Sequence, residues 1–105
     1  MATNRLEMLK QMVEQDPANS FARYGLAMEY ANSGALEQAA AEFQLLVTKD
    51  ANYCAAYFHG GQALEKMGRL EQARAMYEQG IGAATRKGDG HTRAEIEAAL
   101  NSLPI

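Results

Sequence analysis

The sequence has one cysteine, no tryptophan and two prolines among its 105 residues. A single thiol excludes an internal disulfide framework, and it excludes a zinc site built on cysteine pairs. Basic residues are also scarce. Ten Lys and Arg against thirteen Asp and Glu leave a net charge of −3. A dedicated nucleic-acid binder carries a basic surface, so no nucleic-acid partner is expected. No apolar run approaches the roughly 18 residues of a membrane span, so no membrane partner is expected. The segment through Leu6-Glu7-Met8-Leu9-Lys10 lacks the apolar centre of a signal peptide, and the expected location is cytoplasmic. The 48% of hydrophobic residues excludes disorder by composition. At this length they suit one domain with a thin core.

What is plentiful is self-similarity. Gly34-Ala35-Leu36-Glu37-Gln38-Ala39 matches Gly68-Arg69-Leu70-Glu71-Gln72-Ala73 at an offset of 34, with five of six positions identical. Four residues after each alanine stands an aromatic, Phe43 and Tyr77, and four further a β-branched residue, Val47 and Ile81. Leu36, Ala39, Ala40, Phe43, Leu46 and Val47 follow helical spacing. Helices are likewise predicted from Ser20 to about Ser33, from Tyr53 to Met67 and from Leu70 to about Arg86. Gly34 stands where a left-handed helix end favours glycine. A leading helix over 4–15 stops at Asp16-Pro17, because proline disfavours a helical residue before it. Thr92-Arg93-Ala94-Glu95 has the form of a capping box. It would open a last helix with Ile96, Ala99, Leu100 and Leu103 on one side. The chain therefore reads as all-α. Its parts are an N-terminal half-repeat helix over 1–19, full repeats over 20–53 and 54–87, and a C-terminal capping helix over 88–105.

These residues resemble the tetratricopeptide repeat (TPR) pattern. Leu26, Ala27, Tyr30, Gly34, Ala39, Phe43 and Leu46 stand at its signature positions in the first repeat. Tyr57, Gly61, Leu64, Gly68, Ala73, Tyr77 and Gly80 do so in the second. The resemblance implies a right-handed superhelix of antiparallel helix–turn–helix repeats, an α-solenoid of about six helices. It also implies a non-enzymatic module, without cofactor, that binds a peptide or partner protein in a concave groove. There are departures. Arg23 replaces a usual aromatic, Gly60 a usual leucine, and Ala51 and Thr85 the closing proline. Without that proline the helix from Leu70 is expected to run a turn longer. Gly25, Gly60, Gly61, Gly80 and Gly82 fall inside predicted helices, each at a cost of about 1 kcal/mol relative to alanine. Close helix approach accounts for Gly61 and Gly80, but not for Gly82.

With Ser20 and Cys54 as position one, the family's groove positions are 2, 5, 9, 12 and 13. They fall on Phe21, Tyr24, Met28, Ala31 and Asn32, then on Ala55, Phe58, Gln62, Glu65 and Lys66. The candidate peptide-binding residues are Phe21, Tyr24, Met28, Asn32, Phe58, Gln62 and Lys66. Two readings of the aromatics stand side by side. They form an apolar binding surface, or they simply pack, with Phe21 against the N-terminal helix. A carboxylate clamp of the kind some TPRs use would fall on Tyr24, Met28, His59, Asp89 and Arg93, of which only Arg93 suits it.

No catalytic or metal constellation stands out. Cys54 and His59 lie about 140° apart on one helix, which excludes a nucleophile–base pair within it. Cys54 reads as a small, partly buried residue. His59 and His91 lack a third ligand at metal spacing. Glu95 and Glu97 point to different faces, and Glu37, Glu71 and Glu78 fall on outer faces. Gly88-Asp89-Gly90 lacks the residues of a phosphate loop. Arg86, Lys87 and Arg93 read as cations near a helix end. The alternative to a peptide groove is self-association, a homodimer in which the helix of Ile96, Leu100 and Leu103 caps a neighbouring chain.

Overall fold

The computed structural model describes residues 2–105, with side chains from residue 5 onward. Met1 and the side chains of residues 2–4, parts of the predicted half-repeat over 1–19, lie outside the described residues. Among the described residues six helices follow one another: α1 Ala2–Gln15, α2 Ser20–Asn32, α3 Leu36–Lys49, α4 Cys54–Lys66, α5 Leu70–Lys87 and α6 Gly90–Asn101. Gly34 and Gly68, 34 residues apart, hold φ of 84° and 76°. There they turn α2 into α3 and α4 into α5 at no side-chain cost.

Each helix packs on its successor in the chain. In addition α2 touches α4 and α4 touches α6, whereas among the described residues the backbones of α3 and α5 stay apart. One layer, α2–α4–α6, is therefore close-packed and the other is splayed. The splay leaves a cavity of about 320 Å³ between α3 and α5, edged by Ala41, Gln44, Gln72 and Ala75. The layered stack curves toward α2, α4 and α6, and the concave face lies on those helices.

The core runs continuously from Ala27 of α2 to Leu103, with Phe43, Leu46, Tyr77 and Ile96 fully enclosed. A smaller cluster of Leu9, Val13, Ala22 and Leu26 seats α1 on α2. Gly60 and Gly61 let α4 lie against both neighbours. A Cβ at Gly60 would meet Phe43 of α3, and one at Gly61 the ring of Tyr77 of α5.

Arg23 shows how the first repeat accommodates the loss of its usual aromatic. Its side chain is buried, and its guanidinium donates to Glu42 Oε1 at 2.8 Å and to the Pro17 carbonyl at 3.3 Å. It ties the α1–α2 loop to α3. Arg23→Ala should therefore lower unfolding free energy by about 2 kcal/mol, the scale of a charged hydrogen bond with its packing. Urea denaturation checks this, and an unchanged midpoint contradicts it.

The expected extra turn is present. α5 has 18 residues against 14 in α3. The added turn carries Arg86 to Asn52 Oδ1 at 3.3 Å, and Tyr57 donates to the Ala51 carbonyl at 2.7 Å. These bonds hold the α3–α4 loop, where the proline is missing. The last helix departs from expectation. It opens at Gly90, and its cap is Asp89, whose side chain accepts from the Thr92 N–H at 3.1 Å. Thr92 and Glu95 are not the capping pair. Because α5 runs to Lys87 and Gly88 reverses the chain, Asp89 takes the non-helical position that a cap requires.

Candidate functional site

The concave face is read helix by helix. On α2, Phe21 stands out in solvent with 76% of its surface exposed, so it does not pack on the N-terminal helix. Tyr24, one turn on, is half-buried. Its ring lies 5.2 Å from Tyr53 and 6.2 Å edge-on from Phe43. Burial and the neighbouring Tyr53 push its hydroxyl pKa up.

On α4, Phe58 is partly buried against the core and meets His59 edge-on at 5.2 Å. His59 touches Tyr24 at 6.0 Å and stacks on Phe43 at 6.3 Å. It thereby joins the two helices' aromatics into one cluster. Next to it lies a cavity of about 200 Å³, lined by Met28, Ala31, Asn32 and Leu36 on one side and His59, Gln62, Ala63 and Lys66 on the other. The structure thus brings Met28, Asn32, Gln62 and Lys66 around one hollow. Tyr24 and Phe58 meet through His59, and Phe21 stands apart on the rim.

Two groove positions are diverted. Ala55 borders a separate hollow with Tyr53, Lys87 and Asp89. Glu65 accepts the Tyr77 hydroxyl at 2.8 Å and so belongs to the α4–α5 seam. From the sequence His59 reads only as a metal, catalytic or clamp candidate. Its signal was its place directly after the aromatic Phe58.

Over 98 residues, covering 93% of each chain, the sequence is 33% identical to a TPR repeat-containing protein of Pseudomonas aeruginosa. The chain belongs to the tetratricopeptide repeat family. Its fold is that family's superhelical stack of helix pairs. The TPR domain protein of Salinibacter ruber superposes with a TM-score of 0.77 at 32% identity, covering 81% of this chain and 94% of that one. PcrH, solved in complex with the chaperone binding region of PopD, superposes with a TM-score of 0.90 over 97% of this chain and 77% of its own. At 17% identity that likeness concerns the fold alone. No protein-family model matches the chain.

Other polar groups of this TPR protein are committed to its structure. Arg69 forks onto Glu37 at 3.0 and 2.7 Å, joining the starts of α3 and α5, and its hydrogen bonds draw the Glu37 pKa down. Arg93 pairs with Glu97 at 3.2 Å on its own helix, away from a clamp role. Cys54 is buried, and its thiol faces the Asn52 carbonyl at 3.4 Å. Desolvation pushes its pKa up, opposite to the shift that activates a thiolate. Among the described residues no three His, Cys, Asp or Glu gather as a metal site, and no helix is long and apolar enough to cross a membrane. The helix considered as a cap for a neighbour, α6, packs on α4 and α5 of its own chain.

Proposed function

We propose that this TPR protein is a non-enzymatic protein-interaction module, acting in the cytoplasm as one unit of two full repeats between an N-terminal and a C-terminal helix. Its concave face takes an extended or helical segment of a partner protein. Phe21, Tyr24, Met28 and Phe58 supply apolar contact, and Asn32, Gln62 and Lys66 meet polar groups of the ligand.

The observation that carries this reading is the placement of the aromatics. Phe21 is exposed, and the Tyr24–Phe58–His59 cluster runs directly into the Met28–Gln62–Lys66 hollow. Full burial would have answered packing alone. Phe21 packs against nothing in the core. That one structural neighbour, PcrH, holds a segment of its partner PopD adds plausibility to a peptide on this fold.

The test uses peptides selected from a displayed random library on the full chain. Phe21→Ala with Phe58→Ala is preferred to a change at Tyr24, whose ring also supports Phe43 and Tyr53. The double variant should bind the selected peptides at least about tenfold more weakly, a loss of about 1.4 kcal/mol, with unchanged helicity. Equal binding by the folded variant would overturn the groove assignment.

A further inference from the structure

The 34-residue register makes α1 the second helix of a repeat. Counting back 34 from α3, Leu9 and Val13 stand where Phe43 and Val47 do. They serve α2 as those residues serve α4: Leu9 and Val13 are buried with Ala22 and Leu26, and Phe43 lies against Gly60. Another side of α3 faces its own first helix, α2. There Glu42 takes Arg23 at 2.8 Å, and Leu46, beside Arg23, is 1% exposed. In α1 the positions of Glu42 and Leu46 are Met8 and Met12, and they stand 54% and 39% exposed.

Both full repeats show what covers such a face. α2 lies on α3 and α4 lies on α5, each turned back at a left-handed glycine. A first helix seated on Met8 and Met12 would continue the α2–α4–α6 layer by one member. The end units of a repeat array need a polar outer face. The far end has one, because α6 closes it with the Arg93–Glu97 pair at 3.2 Å. The α1 end instead presents two methionines one turn apart on the same side of the helix.

We propose that the Met8–Met12 face of α1 is a second docking surface, separate from the concave groove, and that its occupant is an amphipathic helix of a partner protein with an acidic residue beside its apolar stripe. The apolar stripe follows from Met8. Where α2 sets Arg23 against Glu42, the occupant meets a thioether, so an apolar side chain takes the place of the arginine. The acidic residue follows from Arg5. The matching position in α3 is Ala39, which is fully buried, so a helix seated as α2 is meets an exposed guanidinium there. Arg5 gives its Nε to Glu29 at 2.7 Å, and its two Nη nitrogens have no hydrogen-bond partner among the described residues. They are the fork that a carboxylate fits.

A second copy of this chain lacks that chemistry. An antiparallel pair of α1 helices that sets Met8 of each copy on Met12 of the other brings Arg5 opposite the neutral Gln15. A head-to-tail copy would lay the Arg93–Glu97 pair on the methionines and strip it of water, at a cost that no new partner offsets.

The experiment selects peptides from a displayed library of amphipathic helices on the full chain carrying Phe21→Ala and Phe58→Ala, which keeps the concave groove out of the readout. The selected peptides should carry an acidic residue beside their apolar stripe. Adding Met8→Gln with Met12→Gln should weaken them at least about tenfold, and Met8→Leu with Met12→Leu should restore binding. Arg5→Gln should weaken them about threefold, the scale of an exposed ion pair, and should leave peptides whose acid is replaced by Gln unaffected. Both methionines lie outside the buried clusters, so circular dichroism should show unchanged helicity in every variant. Failure to recover a peptide, or peptides indifferent to Met8 and Met12, would overturn the docking surface. Peptides indifferent to Arg5 would overturn the acidic partner. Sedimentation of the parent chain alone should show a monomer, and a dimer that Met8→Gln with Met12→Gln dissolves would give the face to a second copy and overturn the partner helix. The result is independent of the groove reading, because this face includes neither Phe21 nor Phe58.

Discussion

Tyr77→Ala is expected to lower unfolding free energy by about 4 kcal/mol, in the range of buried aromatic truncations. Tyr77 is fully enclosed, its ring lies on Gly61, and its hydroxyl donates to Glu65 at 2.8 Å. Truncation leaves a cavity in the α4–α5 seam and removes the bond that orients Glu65. In a repeat array each unit is supported only by its neighbours, and here the stack is six helices long among the described residues. Domains of this size are stable by roughly 5–15 kcal/mol, so the change consumes much of the margin. The melting temperature should fall by roughly 15–30 °C. Tyr77→Phe separates ring from hydroxyl. Half-buried Glu65 can be hydrated, and that variant should lose only about 1 kcal/mol. Thermal and urea unfolding check both, and a Tyr77→Ala melting point within about 5 °C of the parent contradicts the packing argument.

The helical glycines should respond to alanine with opposite signs. Intrinsic propensity favours alanine by about 1 kcal/mol at each. At Gly61 the new Cβ would fall on the Tyr77 ring, with Cδ1 and Cζ at 2.6 and 2.7 Å. That ring is enclosed and tethered to Glu65, so it cannot yield without moving α5. Overpacking of this kind exceeds the propensity gain, and Gly61→Ala should lose about 2 kcal/mol net. At Gly82 the nearest atom is the mobile end of Arg86 at 3.6 Å. Gly82→Ala should therefore gain up to about 1 kcal/mol. Urea midpoints of the two variants on either side of the parent are the expected result. Gly61→Ala at or above the parent would contradict the contact.

Gly61 and Gly82 also show what kind of information a sequence carries. The family pattern names Gly61 as a close-approach position, and the structure supplies the ring that it approaches. Gly82 has no signature role, and the structure gives it open space. Arg23 was visible as a departure from the pattern. Its partners, Glu42 nineteen residues on and the Pro17 carbonyl, were not. Thr92 and Glu95 had the spacing of a capping box. Asp89 caps α6 because α5 had already used the residues up to Lys87.

By itself the sequence determined the 34-residue register, the all-helical class, the turn glycines and the apolar stripe of each helix. These follow from local rules, since helical periodicity and left-handed glycine turns act within a few residues of the chain. Only the tertiary structure decided which candidate groove residues share a hollow. It left Phe21 exposed, turned Glu65 toward Tyr77 and placed His59 between Tyr24 and Phe58. Those outcomes depend on the distance and angle at which one helix meets another. Side chains far apart in the chain fix both when they pack together, and no spacing within a single helix encodes them.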